Sequence, residues 1–212
     1  MAAILGTLGF HPHSLIPSIR SNEGVTKVVV FTSTHPDSRK AASIVKQYCE
    51  QIGVDLRTVE MPDAFDLMRI ALSMQDEVRR LQDEGERISV FNIAGGTRLM
   101  SAAALLVCIL EGLNSVYVHD DSHAEIALPL LQMKYSDILT PVQKRMLHFL
   151  LAHQEGELSQ KDIAVGMSMH KATVNHHVKE LIDKGAISLV PMEHDRRTKV
   201  VRVEPSIALL LR

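Results

Sequence analysis

The chain has 212 residues, 46% hydrophobic and 23% charged, with no Trp and only 4% aromatic residues. That is ordinary for a globular protein of one large or two modest domains, and it excludes a low-complexity chain. Formal charge is −2, so the whole chain advertises no nucleic-acid partner, but residues 140–212 carry 11 Lys+Arg against 8 Asp+Glu, and residues 1–139 carry 12 against 17.

Residues 1 to about 130 alternate strand and helix patterns. Ala2–Leu8 reads as a strand, followed by a helix after Pro12. Lys27–Thr32 is a second strand, with a helix over Ser38–Gln51. Val54–Val59 is a third, followed by a helix over Ala64–Glu84. Arg87–Ile93 is a fourth, and the Ala- and Leu-rich segment Leu99–Leu110 is its helix. Ser115–His119 is a fifth strand and Glu125–Leu128 a sixth. This alternation predicts an α/β, Rossmann-like parallel sheet. In the order 3-2-1-4-5, strands 1 and 4 meet where the order reverses, and ligands bind outside their carboxyl ends.

Two loops should therefore face one another, "TLGFHPHS" after the first strand and "AGGTR" after the fourth. Two readings of the second compete. Gly95 and Gly96 can simply make a tight turn needing positive φ. Alternatively they let an anion approach the N-terminus of the next helix, with Thr97 donating a hydroxyl and Arg98 a cationic fork. A nicotinamide-sensing redox repressor would need G-x-G-x-x-G after the first strand and an acidic residue ending the second. "GTLGFH" and "VFTST" stand there instead, and no P-loop motif occurs.

Residues 131–139 read as a connector, and 140–212 as a second domain. Thr140 is a natural N-cap with Pro141 at the first helical position, and Gly156 should end that helix. Ser159 and Asp162 have capping-box spacing. A helix over Lys171–Lys184 buries Val174, Val178 and Leu181 and ends at Gly185. The strands "AISLV" and "TKVVRV", joined by the turn "PMEHDRR", complete a winged helix-turn-helix. This predicts double-stranded DNA as a partner. Lys171, Thr173, Asn175, His176 and Lys179 should face the major groove, and Arg196, Arg197 and Lys199 of the wing the backbone or minor groove. His170 stands where a Ser or Thr cap is usual, and Ser168 where Gly is common.

No metal site is predicted. Adjacent His176 and His177 should diverge on a helix, and "HDDSH" at 119–123 reads as a polar loop. Cys49 and Cys108 lie in separate apolar segments, as buried reduced thiols of a cytoplasmic protein would. The N-terminus lacks the basic region of a signal peptide, and no run reaches the length of a membrane span.

"LGTLGFHPH" and "NIAGGTRLMSAAAL", followed by a winged helix, resemble the CRISPR-associated Rossmann-fold (CARF) winged-helix transcription regulators of the archaeal Csa group. The resemblance spans nearly the whole chain. It implies a sensor domain that dimerises and binds a cyclic oligoadenylate, the tetra-adenylate above all, across a two-fold axis. Carried over, Thr7, Leu8, Gly9, Phe10 and His11 form one ligand loop, and Gly95, Gly96, Thr97 and Arg98 the other. The family often has Lys where Arg98 stands. Phe10 would stack on adenine or simply pack. Some CARF domains cleave their cyclic ligand as ring nucleases, but here only His11 offers a proton-transfer group within the two loops. The expectation is a regulator with no catalytic residues, no metal and no cofactor.

Overall fold

The computed structural model describes residues 2–119, 121–153, 158–192, 198–204 and 206–211. The chain divides into two units, Met1–Tyr135 and Ser136–Arg212.

The first unit is a six-stranded sheet in the order β3-β2-β1-β4-β5-β6. Its strands are β1 (Ala2–Leu8), β2 (Val25–Ser33), β3 (Asp55–Met61), β4 (Arg87–Asn92), β5 (Ser115–Val118) and β6 (Glu125–Ala127). All neighbours pair in parallel except β6, which returns antiparallel on β5. The expected Rossmann-like order is present, with one added edge strand. Every residue of β1 is buried, as a central strand covered on both faces must be. Leu5 pairs with Val29 on one side and Phe91 on the other, which brings the carboxyl ends of β1 and β4 side by side.

The crossover helices are α1 (Ile16–Ser21), α2 (Pro36–Gln51), α3 (Leu67–Asp83) and α4 (Arg98–Glu111). A 3-10 turn at Pro12–Ser14 precedes α1. Helix α3 starts at Leu67 rather than Ala64. Asp66 caps it by accepting the N–H of Arg69 at 3.0 Å, and Asp63 accepts the N–H of Phe65 at 2.9 Å in a turn just before. Two acidic side chains bonding to backbone two and three residues on favour a turn and a cap over an earlier helix start. Residues 62–65 are thereby left as a loop. Cys49 and Cys108 are both buried, and burial pushes their thiols up to about 11 and about 12.

The second unit holds α5 (Pro141–Ala152), α6 (Gln160–Gly166), α7 (Lys171–Asp183), β7 (Ile187–Pro191), β8 (Lys199–Val203) and α8 (Ile207–Leu210). β7 and β8 pair antiparallel, and Ser159 bridges to Val200, giving the small sheet of a winged helix. Both α5 and α6 begin with a complete capping box, Thr140 with Gln143 and Ser159 with Asp162. The Ser159 hydroxyl and N–H hold the Asp162 carboxyl below the usual carboxylate range. Gly156, the expected end of α5, lies outside the described residues.

Ser168 takes a φ of 53° in the turn between α6 and α7, the left-handed position that glycine usually fills. His170 occupies the N-cap of α7 without a side-chain cap bond. Replacing His170 with Ser should add about 1 kcal/mol to the stability of this unit, read as a rise in its urea midpoint.

Candidate ligand cleft and nucleic-acid face

The sequence "NIAGGTR" folds as it does because three contacts fix it. Asn92, fully buried at the end of β4, donates from Nδ2 to the Ser14 carbonyl and the Ser18 hydroxyl, both at 2.7 Å. Its Oδ1 accepts the N–H of Ala94 at 2.9 Å. Asn92 thus ties the segment after β1 to the turn after β4, a role that sequence reading did not assign. Gly95 then lies against β1, where a Cβ would stand 2.4 Å from the Thr7 carbonyl oxygen and 2.8 Å from the Leu8 Cα. Gly96 takes a φ of 83°. The turn alone therefore requires both glycines, and neither of the competing readings is lost.

Outside these strand ends lies a cleft of about 580 Å³. Gly9, Phe10, His11, Gly95, Gly96 and Thr97 line it, six of the nine residues expected for the ligand. Three differ. Leu8 is fully buried in the core, so its side chain is closed to the cleft. Thr7 is likewise buried, with an Oγ1 that has no hydrogen-bond partner among the described residues. Arg98 is exposed in the first turn of α4 and does not line the cleft. The Thr97 hydroxyl, expected to donate to an anion, is already committed. It donates to the Ala64 carbonyl at 2.8 Å and accepts the Met100 N–H as the N-cap of α4.

Two further walls come from the loops after β2 and β3, through Ser33, Thr34, His35 and Asp63 to Phe65 among others. Sequence reading missed them because neither loop contains a recognisable motif. The late start of α3 puts the second of them there. The His35 ring lies 4.8 Å from that of Phe10, and its Nδ1 accepts the N–H of Asp37 as the N-cap of α2. Phe10 and Phe65 remain 54% and 73% exposed, an apolar surface suited to a flat ring.

The lining contains no Lys or Arg among the described residues and one carboxylate, Asp63. Nearby cations are paired. Arg39 makes a two-pronged contact with Glu60, both bonds at 2.7 Å, which holds the Glu60 carboxyl below its ordinary range. Arg69 lies 3.4 Å from Asp66. Arg98 makes no hydrogen bond or ion pair with the described residues, so its guanidinium is available.

In the second unit, α7 buries Val174, Val178 and Leu181 as its periodicity predicts. Lys171, Thr173, Asn175, His176 and Lys179 are all exposed, as is Lys199 at the start of β8. Arg196 and Arg197 lie outside the described residues. The expected divergence of His176 and His177 is not seen. Their ring centroids are 5.3 Å apart, and both side chains lean toward Glu180, one turn on. In the first unit, His119 Nδ1 faces the backbone N–H groups of Asp121 and Ser122, as in a polar turn. Among the described residues no helix is long and apolar enough to cross a membrane.

The fold and its two faces define a class, a Rossmann-like domain with a cleft at its topological switch point, followed by a winged helix. A family model of the Csa3 CRISPR-associated Rossmann-like domain matches residues 2–129, and one of the MarR family matches residues 139–198. The chain belongs to the Csa3 CRISPR-associated Rossmann-like family. The two matches together support a CRISPR-associated transcriptional regulator. No curated protein matches the chain.

Several solved structures of MepR from Staphylococcus aureus match in part. MepR, a transcription regulator of the multidrug efflux pump MepA, is 30% identical over 34% of this chain and 53% of its own, with a TM-score of 0.32. For the MepR–DNA complex the values are 29%, 35%, 53% and 0.33. For MepR bound to ethidium bromide they are 32%, 34%, 52% and 0.33. This chain thus spans about half the length of those relatives.

Proposed function

We propose that the protein is a ligand-responsive transcription regulator whose cleft takes a cyclic oligoadenylate, the tetra-adenylate in particular, and whose winged helix binds double-stranded DNA. The observation that carries this reading is the cleft itself. In a chain of the Csa3 family, the loops after β1 and β4 open it at the switch point, beside the N-terminus of α4 and the free Arg98. Backbone N–H groups and a guanidinium supply the charge for phosphates. Phe10, His35 and Phe65 supply ring surface for bases. A ligand with two-fold symmetry is served by two copies of each loop, so the working species is a homodimer. The reading needs no catalytic residue and no cofactor.

Arg98→Ala tests it. Removing a charged hydrogen-bonding partner of phosphate forfeits about 1.5–3 kcal/mol, so cyclic tetra-adenylate should bind about ten- to a hundredfold more weakly in calorimetry. The melting profile should be unchanged, because Arg98 holds nothing else among the described residues. Equal affinity of the variant and the parent chain overturns the site. A monomer by light scattering at micromolar concentration, with and without ligand, overturns the two-fold geometry.

A further inference from the structure

On α7, the exposed His176 places its Nε2 3.6 Å from Glu180 Oε1, and the half-buried His177 places its Nδ1 3.4 Å from Glu180 Oε2. One ligand atom from each of the three residues falls within 4.8 Å of the others. Two imidazoles and a carboxylate are a ligand set for a borderline divalent ion such as Zn²⁺. Ligand atoms about 2.0–2.2 Å from a tetrahedral ion stand about 3.4 Å from one another. The two nitrogen–carboxylate separations, one to each oxygen of Glu180, are near that size, and rotation of the exposed His176 ring together with a turn of the carboxylate would bring one ligand atom from each residue to it.

Two further observations mark this trio off from a chance surface pair. His177 Nδ1 is buried, has no hydrogen-bond partner among the described residues and lies 3.4 Å from Glu180 Oε2, so it has no competing protein partner to give up for an ion. The carboxylate is also held from behind. Gln143 of α5 is fully buried, and its Nε2 donates to Glu180 Oε2 at 2.8 Å. Gln143 Oε1 in turn accepts from Lys184 Nζ at 3.0 Å and from the Thr140 N–H at 3.0 Å. Metal-binding carboxylates are fixed by an outer layer of hydrogen bonds in this way.

We infer that His176, His177 and Glu180 form a site for one divalent transition-metal ion of the zinc class on α7, where the helix surface turns in toward Gln143 of α5. His176 is also among the residues expected to face DNA. It follows, resting on the DNA-binding reading, that the bound ion draws His176 toward Glu180 and weakens DNA binding.

The experiment uses the full chain without a polyhistidine tag. Co²⁺ is titrated first, read by its visible d–d absorption and displaced by Zn²⁺. The parent chain should take up one Co²⁺ per chain. His176→Gln and Glu180→Gln should each weaken uptake at least tenfold with unchanged circular dichroism. Glu180→Gln keeps an oxygen for Gln143 and so keeps the fold. No uptake by the parent chain, or equal uptake by both variants, overturns the site. A second arm measures DNA affinity with and without Zn²⁺. Zinc should weaken binding by the parent chain severalfold and spare His176→Gln, and equal weakening of both overturns the link to DNA. A chain that never binds DNA overturns the regulator reading instead, because the cobalt titration involves no DNA.

Discussion

Gly95→Ala should destabilise the Rossmann-like unit by about 3 kcal/mol, the upper end of what overpacking costs. The added Cβ would meet backbone on the facing strand, 2.4 Å from the Thr7 carbonyl oxygen, 2.8 Å from the Leu8 Cα and 3.0 Å from the Thr7 carbonyl carbon. None of these atoms can swing aside as a side chain would. β1 is hydrogen-bonded on both flanks, to β2 and to β4, and all seven of its residues are buried. Relief must therefore come from displacing the β4–α4 turn, which also pulls on Asn92 and the Thr97 cap. Gly53→Ala is the matched control. Gly53 has a φ of 71° and nothing within 4 Å of the place an added methyl would take, so only backbone strain of about 1–2 kcal/mol is at stake there. Urea melts of the two variants separate crowding from strain. If Gly95→Ala is no worse than Gly53→Ala, the close approach of the two loops does not limit the fold.

This result matters for reading the motif, because it separates what the glycines do for the fold from what Arg98 does for a ligand. A short Gly-Gly turn between strand and helix is written into the sequence whether or not anything binds beside it. The alternation of strands and helices was legible from 2 to 127 because the central strands, buried on both faces, read as near-continuous apolar runs, and the strand order followed from the Rossmann-like architecture that this alternation implies. The winged helix was legible through Thr140, Ser159 and the Val174, Val178, Leu181 stripe. The far half of the cleft was not. Ser33 to His35 and Asp63 to Phe65 come from loops with no glycine or charge pattern, and only the strand order brings them beside "AGGTR". The convergence of His176 and His177 was hidden for a different reason. Spacing fixes where Cα–Cβ bonds point, about 100° apart for neighbours on a helix, whereas the side-chain rotamers, which here bend both rings toward Glu180, are not fixed by spacing.

Asn175→Ala and Lys199→Ala should have opposite signatures on DNA. Asn175 is exposed in the first half of α7, where a recognition helix meets base edges, and its amide can pair with adenine through two hydrogen bonds. Removing it should cost about 1–3 kcal/mol of discrimination on the preferred operator and nearly nothing on random DNA. The ratio of the two affinities would then fall by about five- to a hundredfold. Lys199 starts β8 at the wing and can serve only as a point charge toward phosphate. Its loss should weaken binding to both DNAs alike and reduce the slope of log affinity against log salt by about 1. Anisotropy titrations on operator and random duplexes across a salt series read both quantities at once. The same titrations at saturating cyclic tetra-adenylate test the connection between the two units, since any factor by which ligand changes DNA affinity must equal the factor by which DNA changes ligand affinity. If Asn175→Ala lowers affinity equally on both duplexes, α7 is not the element that reads sequence. If ligand leaves DNA affinity unchanged while binding tightly, the cleft and the winged helix are not coupled through DNA, and the ligand must act on what the regulator recruits.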